Sequence, residues 1–220
     1  MEKRLSSEIV AGFAALDTAC ISDALDRLGI RSGLLGIHAV LPGTKLCGQA
    51  FTVHYTACGA VKGTVGDFID DVAPGDIVVI DNGGRLDCTV WGDIMSLYAT
   101  VHGIGGTVID GVCRDVDLIR ELNYPIFTKS TYMVTGKDRV YVDAVGVPVT
   151  VSGTQVVPGD LMVADGSGAL VVPFERCEEV LEVAREIEAK EEIIKTEVRA
   201  GHSLKAARAK TGYHTLQTRR

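Results

Sequence analysis

The strongest constraint on what this chain can fold into is a pattern it uses twice. VAPGDIVVIDNGG (72–84) and VVPGDLMVADGSG (156–168) each place a Pro-Gly-Asp turn before a short apolar run that ends in Asp and a glycine-bearing loop. Proline presets φ at one turn position, and glycine supplies a conformation other residues resist at the next. Runs that are apolar at every position, not only at alternate ones, predict strands buried on both faces. Two copies are too few for a solenoid, so these strands belong to a layered fold in which other elements cover the sheet.

The residues between the copies fill in the layers. Strand 77–81 runs into the loop DNGGRLDCT, then a helix of about ten residues in WGDIMSLYATVHG, then GIGG, then strand 107–110. That order predicts a strand–helix–strand unit whose strands lie parallel with a right-handed crossover. Upstream, 6–15 and 17–29 read as helices, the second opening on Asp17-Thr18 and closing on Gly29, and AFTVHYTA (50–57) alternates as a strand does. From 126 to 174 the pattern is nearly all strand, and the final long helix, beginning at FERCEEV, carries a narrow apolar stripe among alternating charges. No linker or composition break interrupts the chain. The reading is one α/β domain over 1–200 followed by a basic tail, 201–220.

Composition excludes several classes of function. A hydrophobic fraction of 46% and a charged fraction of 23% are those of a globular protein. No apolar run approaches the roughly 20 residues needed to span a bilayer. Six cysteines with no CxxC spacing, and an N-terminus without an apolar core, predict reduced thiols and a cytoplasmic protein. The net charge of −7 argues against a nucleic-acid surface, and the five Lys/Arg of the tail read as a solvated end or a strap on a neighbouring subunit.

The stretch GTVIDGVCRDVDLI (106–119) holds the candidate chemistry. In a parallel sheet, functional groups gather beyond the carboxyl ends of the strands. If strands 77–81 and 107–110 are neighbours, Gly92, Asp93, Ile94 and Met95 at the helix start and Arg114 and Asp115 beyond the second strand open on one edge. Backbone N–H groups in a first helical turn attract an anion, an Arg fork holds a carboxylate or enolate oxygen, and a lone Asp115 suits a hard cation that keeps waters and substrate oxygens. Together they fit a 2-oxo acid. The plainer alternative makes Asp115 the N-cap of the next helix, Arg114 a surface residue paired with Asp110 or Asp117, and Asp93 a first-turn acid favoured by the helix dipole.

Asp93, twenty intervening residues, then Arg114-Asp115 resembles the pattern of the 4-hydroxy-4-methyl-2-oxoglutarate aldolases, which share a fold with the regulator of ribonuclease activity A, the RraA-like family. ISDALDRLG (21–29), GQAFTV (48–53), PGDIVVID (74–81), GGTVIDGVCRD (105–115) and VVPGDLMVADGSGALVVP (156–173) resemble family segments in family order. The resemblance implies a single-domain swivelling β/β/α sandwich, assembled as a homotrimer or homohexamer with active sites between subunits. It also implies a divalent-metal-dependent pyruvate aldolase with oxaloacetate decarboxylase side activity. On that analogy the amides around Gly92–Met95 bind the pyruvoyl group, Arg114 holds the keto oxygen, Asp115 carries Mg²⁺ or another divalent cation, and Asp93 orients a water or relays a proton. Gly66 stands where many aldolases of the family have a histidine, so the acceptor half of the substrate is left open. Lys137 is a candidate for a distal carboxylate. The alternative is a non-catalytic ribonuclease-binding regulator.

Other candidates carry less. His38, His54, His102, His202 and His214 lack paired ligand spacing for zinc. Cys113 beside Arg114 is a conceivable nucleophile, but its place at a strand end favours packing. HGIGGTVIDG follows a helix and precedes a strand, the reverse of a nucleotide-binding glycine loop.

Overall fold

The computed structural model describes residues 4–60 and 62–211; His214 and the last nine residues of the basic tail lie outside them. The chain opens with helices α1 (Ser7–Ala14) and α2 (Thr18–Arg27), then strands β1 (His38–Ala39) and β2 (Leu46–Ala57), a 3-10 turn (Asp67–Asp71) and β3 (Ile77–Asp81). Helix α3 (Asp93–Val101), β4 (Gly106–Cys113), α4 (Val116–Leu122) and β5 (Ile126–Thr131) complete the central portion. Strands β6 (Val140–Val145), β7 (Val149–Val151), β8 (Thr154–Val156), β9 (Leu161–Asp165) and β10 (Gly168–Val172) precede helices α5 (Cys177–Arg199) and α6 (Leu204–Thr211).

One long strand organises the sheet. The twelve-residue β2 pairs antiparallel with β9 through Leu46–Gln49, parallel with β3 through Ala50–His54, and antiparallel with β6 through Val53–Ala57. The strand order is β1-β5-β4-β3-β2-β9-β10, with β6 also on β2 and a separate β7-β8 hairpin. The parallel β3–β4 pair anticipated from the strand–helix–strand pattern is present, with Asp81 opposite Asp110. Strand β4 is longer than the run 107–110, and all eight of its residues are buried.

Three cores follow from the sheet's faces. Val78, Ile80 and Ile109 pack with Trp91, Ala99 and Ile119 under α3 and α4. Ile77, Val79, Val108 and Phe127 pack with Val149, Val151 and Met162 on the other face. The β9-β10 end is covered by α1, α2 and α5, where Ile21, Ala24 and Leu25 meet Val180, Leu181 and Ala184. This is the α/β, swivelling β/β/α sandwich expected. Within the stretch read as a tail, residues 204–211 form α6, which doubles back so that Lys210 Nζ and His202 Nδ1 each lie 2.7 Å from Glu197 Oε2.

Candidate functional site

Two arms leave the carboxyl edge of the sheet and meet. The first is the loop from β3 into α3. Trp91, 1% exposed, stacks on Tyr124 with ring centroids 6.0 Å apart, and its indole N–H donates to Ser96 Oγ at 2.9 Å. Ser96 Oγ in turn donates to the Gly92 carbonyl at 2.8 Å. These bonds fix where α3 begins, and neither Trp91 nor Ser96 was a candidate from sequence; the signal available was the only Trp of the chain standing just before Gly92-Asp93. The second arm is the end of β4, tied to the first by Arg114 N–H donating to the Trp91 carbonyl at 3.0 Å.

Asp115 does occupy the N-cap position of α4, but it makes no capping bond there. Its backbone is left-handed, φ 57° and ψ 39°, a strained setting for a residue with a Cβ. That conformation sends the carboxylate across to the other arm, where Oδ2 accepts from Asp93 N–H at 3.1 Å and lies 3.3 Å from Arg114 Nε. Gly92 is extended, so its glycine is a matter of space: a Cβ there would stand 2.6 Å from Asp115 Oδ2 and 3.3 Å from Arg114 Nε. The structure therefore departs from the plainer alternative. Asp110 pairs with Lys129 at 2.6 Å and Asp117 with Arg120 at 3.4 Å, leaving Arg114 to Asp115.

The open amide cradle anticipated at Gly92–Met95 is half taken. Asp93 N–H is held by Asp115, and Ile94 N–H donates to Asp93 Oδ1 at 2.7 Å. Gly92 and Met95 N–H have no partner among the described residues. Carboxylates already sitting on two donors of a helix's first turn illustrate the anion preference of that position. Arg114 is 38% and Asp115 36% exposed at the side chain, and the two terminal nitrogens of Arg114 and Asp115 Oδ1 are without partners among the described residues. The groups lie on an open shelf of the single chain, while a cleft of about 770 Å³ opens elsewhere, between Gln49–Thr52, the Val157–Asp160 turn and Phe174.

Gly66 borders this shelf: a Cβ there would come within 3.2 Å of Met95 Sδ. Lys137 is exposed, and its N–H donates to Thr135 Oγ1 at 3.3 Å in a loop that pairs with Thr89. Cys113 is fully buried, and burial pushes its thiol up to about 12, the setting of a packing cysteine and not of an activated one. All six cysteines are unpaired. Among the described residues, no group of three His, Cys, Asp or Glu side chains is arranged to hold a metal, and no helix is long and apolar enough to cross a membrane.

Comparisons with known proteins bear on the fold and the family. The chain is 42% identical over 196 residues to Protein DlpA of Legionella pneumophila, covering 87% of this chain but only 32% of DlpA, so it spans about a third of that relative. It is 33% identical over 185 residues to a protein of Halalkalibacterium halodurans that bears a provisional 4-hydroxy-4-methyl-2-oxoglutarate aldolase name, covering 84% of this chain and 86% of the relative. The crystal structure of Streptomyces coelicolor RraAS2, described as an unusual member of the RNase ES inhibitor RraA family, superposes with a TM-score of 0.81 at 32% identity over 87% of this chain and 98% of that one. The family model RraA-like, Aldolase/RraA, matches residues 18–171, and this chain belongs to that family.

Proposed function

We propose that the chain is a pyruvate-releasing carbon–carbon lyase: a divalent-metal-dependent (class II) aldolase acting on a 4-hydroxy-2-oxo acid resembling 4-hydroxy-4-methyl-2-oxoglutarate, with oxaloacetate decarboxylation as a side activity. The observation that carries this reading is the convergence of Arg114, the unpartnered N–H groups of Gly92 and Met95, and the free oxygen of Asp115. Cleaving the bond next to the alcohol leaves the electron pair on the pyruvoyl fragment as an enolate. Arg114 donates to the developing oxyanion, and a preorganised donor of this kind contributes about 3–4 kcal/mol to the barrier reduction. The substrate carboxylate takes the first-turn amides of α3, displacing the side chains of Asp93 and Asp115 that now cover two of them. Asp93, released from Ile94, would accept or return a proton.

The donor set fits a hard divalent ion. One carboxylate oxygen on an exposed shelf, with no closed cage around it, suits Mg²⁺ or a similar cation that fills its remaining positions with water and substrate. Asp115 would hold it, and when bound it would supply Lewis-acid stabilisation of the enolate. The shelf is also half a pocket. Along α3, Ile94 is 79% exposed, Leu97 50% and Val101 72%, an outward apolar stripe beside the site. A second copy of the chain in a homotrimer or homohexamer would cover that stripe and close the shelf.

Pyruvate release from oxaloacetate and from 4-hydroxy-4-methyl-2-oxoglutarate, with Mg²⁺ or with EDTA, tests the reading. Turnover that needs the metal and falls at least a hundred-fold, on the order of the contribution above, in Arg114→Ala supports it. Undiminished turnover in EDTA or in Arg114→Ala contradicts it. Inhibition of a ribonuclease without turnover of any 2-oxo acid would favour the regulator reading instead.

A further inference from the structure

The two arms of the site are clipped together four residues behind Arg114, by an ion pair set back from the substrate groups. Between Ile109 and Val112 strand β4 carries one residue more than β5 opposite it, a bulge at Asp110-Gly111. At that bulge the Asp110 side chain is 8% exposed, and its Oδ1 lies 2.6 Å from Lys129 Nζ on β5 and 3.4 Å from Ser152 Oγ on the β7-β8 hairpin. The backbone carbonyl of Asp110 accepts from Gly84 N–H at 3.0 Å. Gly84 is left-handed, φ 69°, and a Cβ on it would stand 2.9 Å from Lys129 Nζ, so the first arm is draped over the lysine amine. One residue therefore binds β5, the hairpin and the loop that carries Gly92, and it sits four positions before Arg114 on the strand that carries the second arm.

We propose that Asp110, held by Lys129, is a positioning residue that sets the spacing between the Gly92–Met95 amides and the Arg114-Asp115 pair. On the β5 side the bulge interrupts the ladder, while β3 still pairs with Asp110 on the other side; a buried carboxylate with a lysine partner is costly to separate, so the ion pair fixes the β5 side of the strand where ladder bonds do not. Breaking it leaves β4 folded and lets the arms drift. Its consequence for turnover rests on the lyase reading; its consequence for geometry does not.

Two amides separate these claims. Asp93 N–H bridges the arms through Asp115 at 3.1 Å, whereas Thr18 N–H is held by Asp165 at 2.9 Å at the far end of the sheet. Residue-resolved hydrogen exchange of the full chain is to be compared for wild type, Asp110→Asn, Lys129→Met and Lys129→Arg. The expected result is that Asp93 exchanges about ten-fold faster or more in Asp110→Asn and Lys129→Met, the loss of one charge-assisted bond, while Thr18 is unchanged and Lys129→Arg restores the wild-type rate. Should Asp110→Asn fail to fold, the lysine variants carry the same comparison, because Lys129 is 27% exposed. Unchanged Asp93 exchange overturns the proposal. So does equal acceleration at Thr18, which marks general loosening, or failure of Lys129→Arg to recover. If wild type turns over a 2-oxo acid, kcat falls in step with the Asp93 exchange rate while KM moves less. If it turns over none, the exchange result still stands, and only the lyase reading fails.

Discussion

The two Pro-Gly-Asp segments begin alike and end differently. Ala73–Asp76 and Val157–Asp160 are the same turn, each closed by an Asp N–H bond, to the Ala73 carbonyl at 3.1 Å and to the Val157 carbonyl at 3.0 Å, with Gly75 at φ 84° and Gly159 at φ 89°. Each launches a buried five-residue strand. Beyond the strand the copies part. Asp165 at the end of β9 turns at once into the β9-β10 hairpin, and its carboxylate is saturated by Thr18 N–H at 2.9 Å, Thr18 Oγ1 at 2.7 Å and Ser167 N–H at 2.8 Å. At the end of β3 Asp81 is capped likewise, accepting from Gly83 N–H at 2.9 Å and Thr150 N–H at 3.1 Å, but the chain then runs out over the parallel edge, where Arg114 and Asp115 retain atoms without partners among the described residues. The same local code thus builds a closed structural corner where strands are antiparallel and an open shelf where they are parallel and a helix must follow.

Substitutions at the two ends should separate stability from turnover. The largest expected effect is at the shelf: Arg114→Ala lowers kcat/KM for pyruvate release by about 3–4 kcal/mol, with a melting temperature close to wild type because the side chain is 38% exposed. Next is the closed corner. Asp165→Asn puts an amide donor against Thr18 and costs about 2 kcal/mol of stability in denaturant melts, with kcat per folded chain unchanged. Burial pushes the Asp165 carboxyl up, but the three hydrogen bonds outweigh it and hold the group below its usual range. Wild type is therefore the more stable of the two above the unfolded value of about 3.9, and the difference disappears as pH falls through the lower folded value. Melts of the pair from neutral to acid pH check the sign. Gly92→Ala presses a Cβ against Asp115 Oδ2 and should lower turnover about ten-fold, the equivalent of one displaced contact, read as kcat at saturating substrate. Trp91→Phe removes the indole bond to Ser96 and should cost about 1 kcal/mol of stability, in the same denaturant melts.

Much of this was legible in the sequence because it depended on local chemistry. Pro-Gly-Asp, the continuous apolar runs and Gly29 after α2 fix turns, buried strands and a helix stop by steric rules alone. The strand–helix–strand order brings Asp93 near Arg114, since parallel neighbours send both loops to one edge. What escaped was non-local or turned on a single dihedral. Nothing in the residues around Asp115 announces its left-handed backbone, which converts an N-cap position into a bridge to Asp93. Occupation of Asp93 and Ile94 N–H by carboxylates, the support of α3 by Trp91 and Ser96, and the Asp110–Lys129 pair across a bulge all need partners distant in sequence or a register slip that composition does not encode. The antiparallel fate of the second repeat was likewise invisible, because the two copies diverge only after their shared motif.

On the lyase reading, Arg114, Asp115 and the start of α3 form one receptor for a planar anionic enolate. Oxalate, a flat dianion of that shape, tests it without any need to know the physiological substrate. Calorimetric titration should give a single site per chain that requires Mg²⁺, weakens at least a hundred-fold in Arg114→Ala, on the order of one preorganised charge contact, and is unchanged in Asp165→Asn. Binding that ignores both the metal and Arg114, or that is lost equally when the closed corner is altered, would contradict the account.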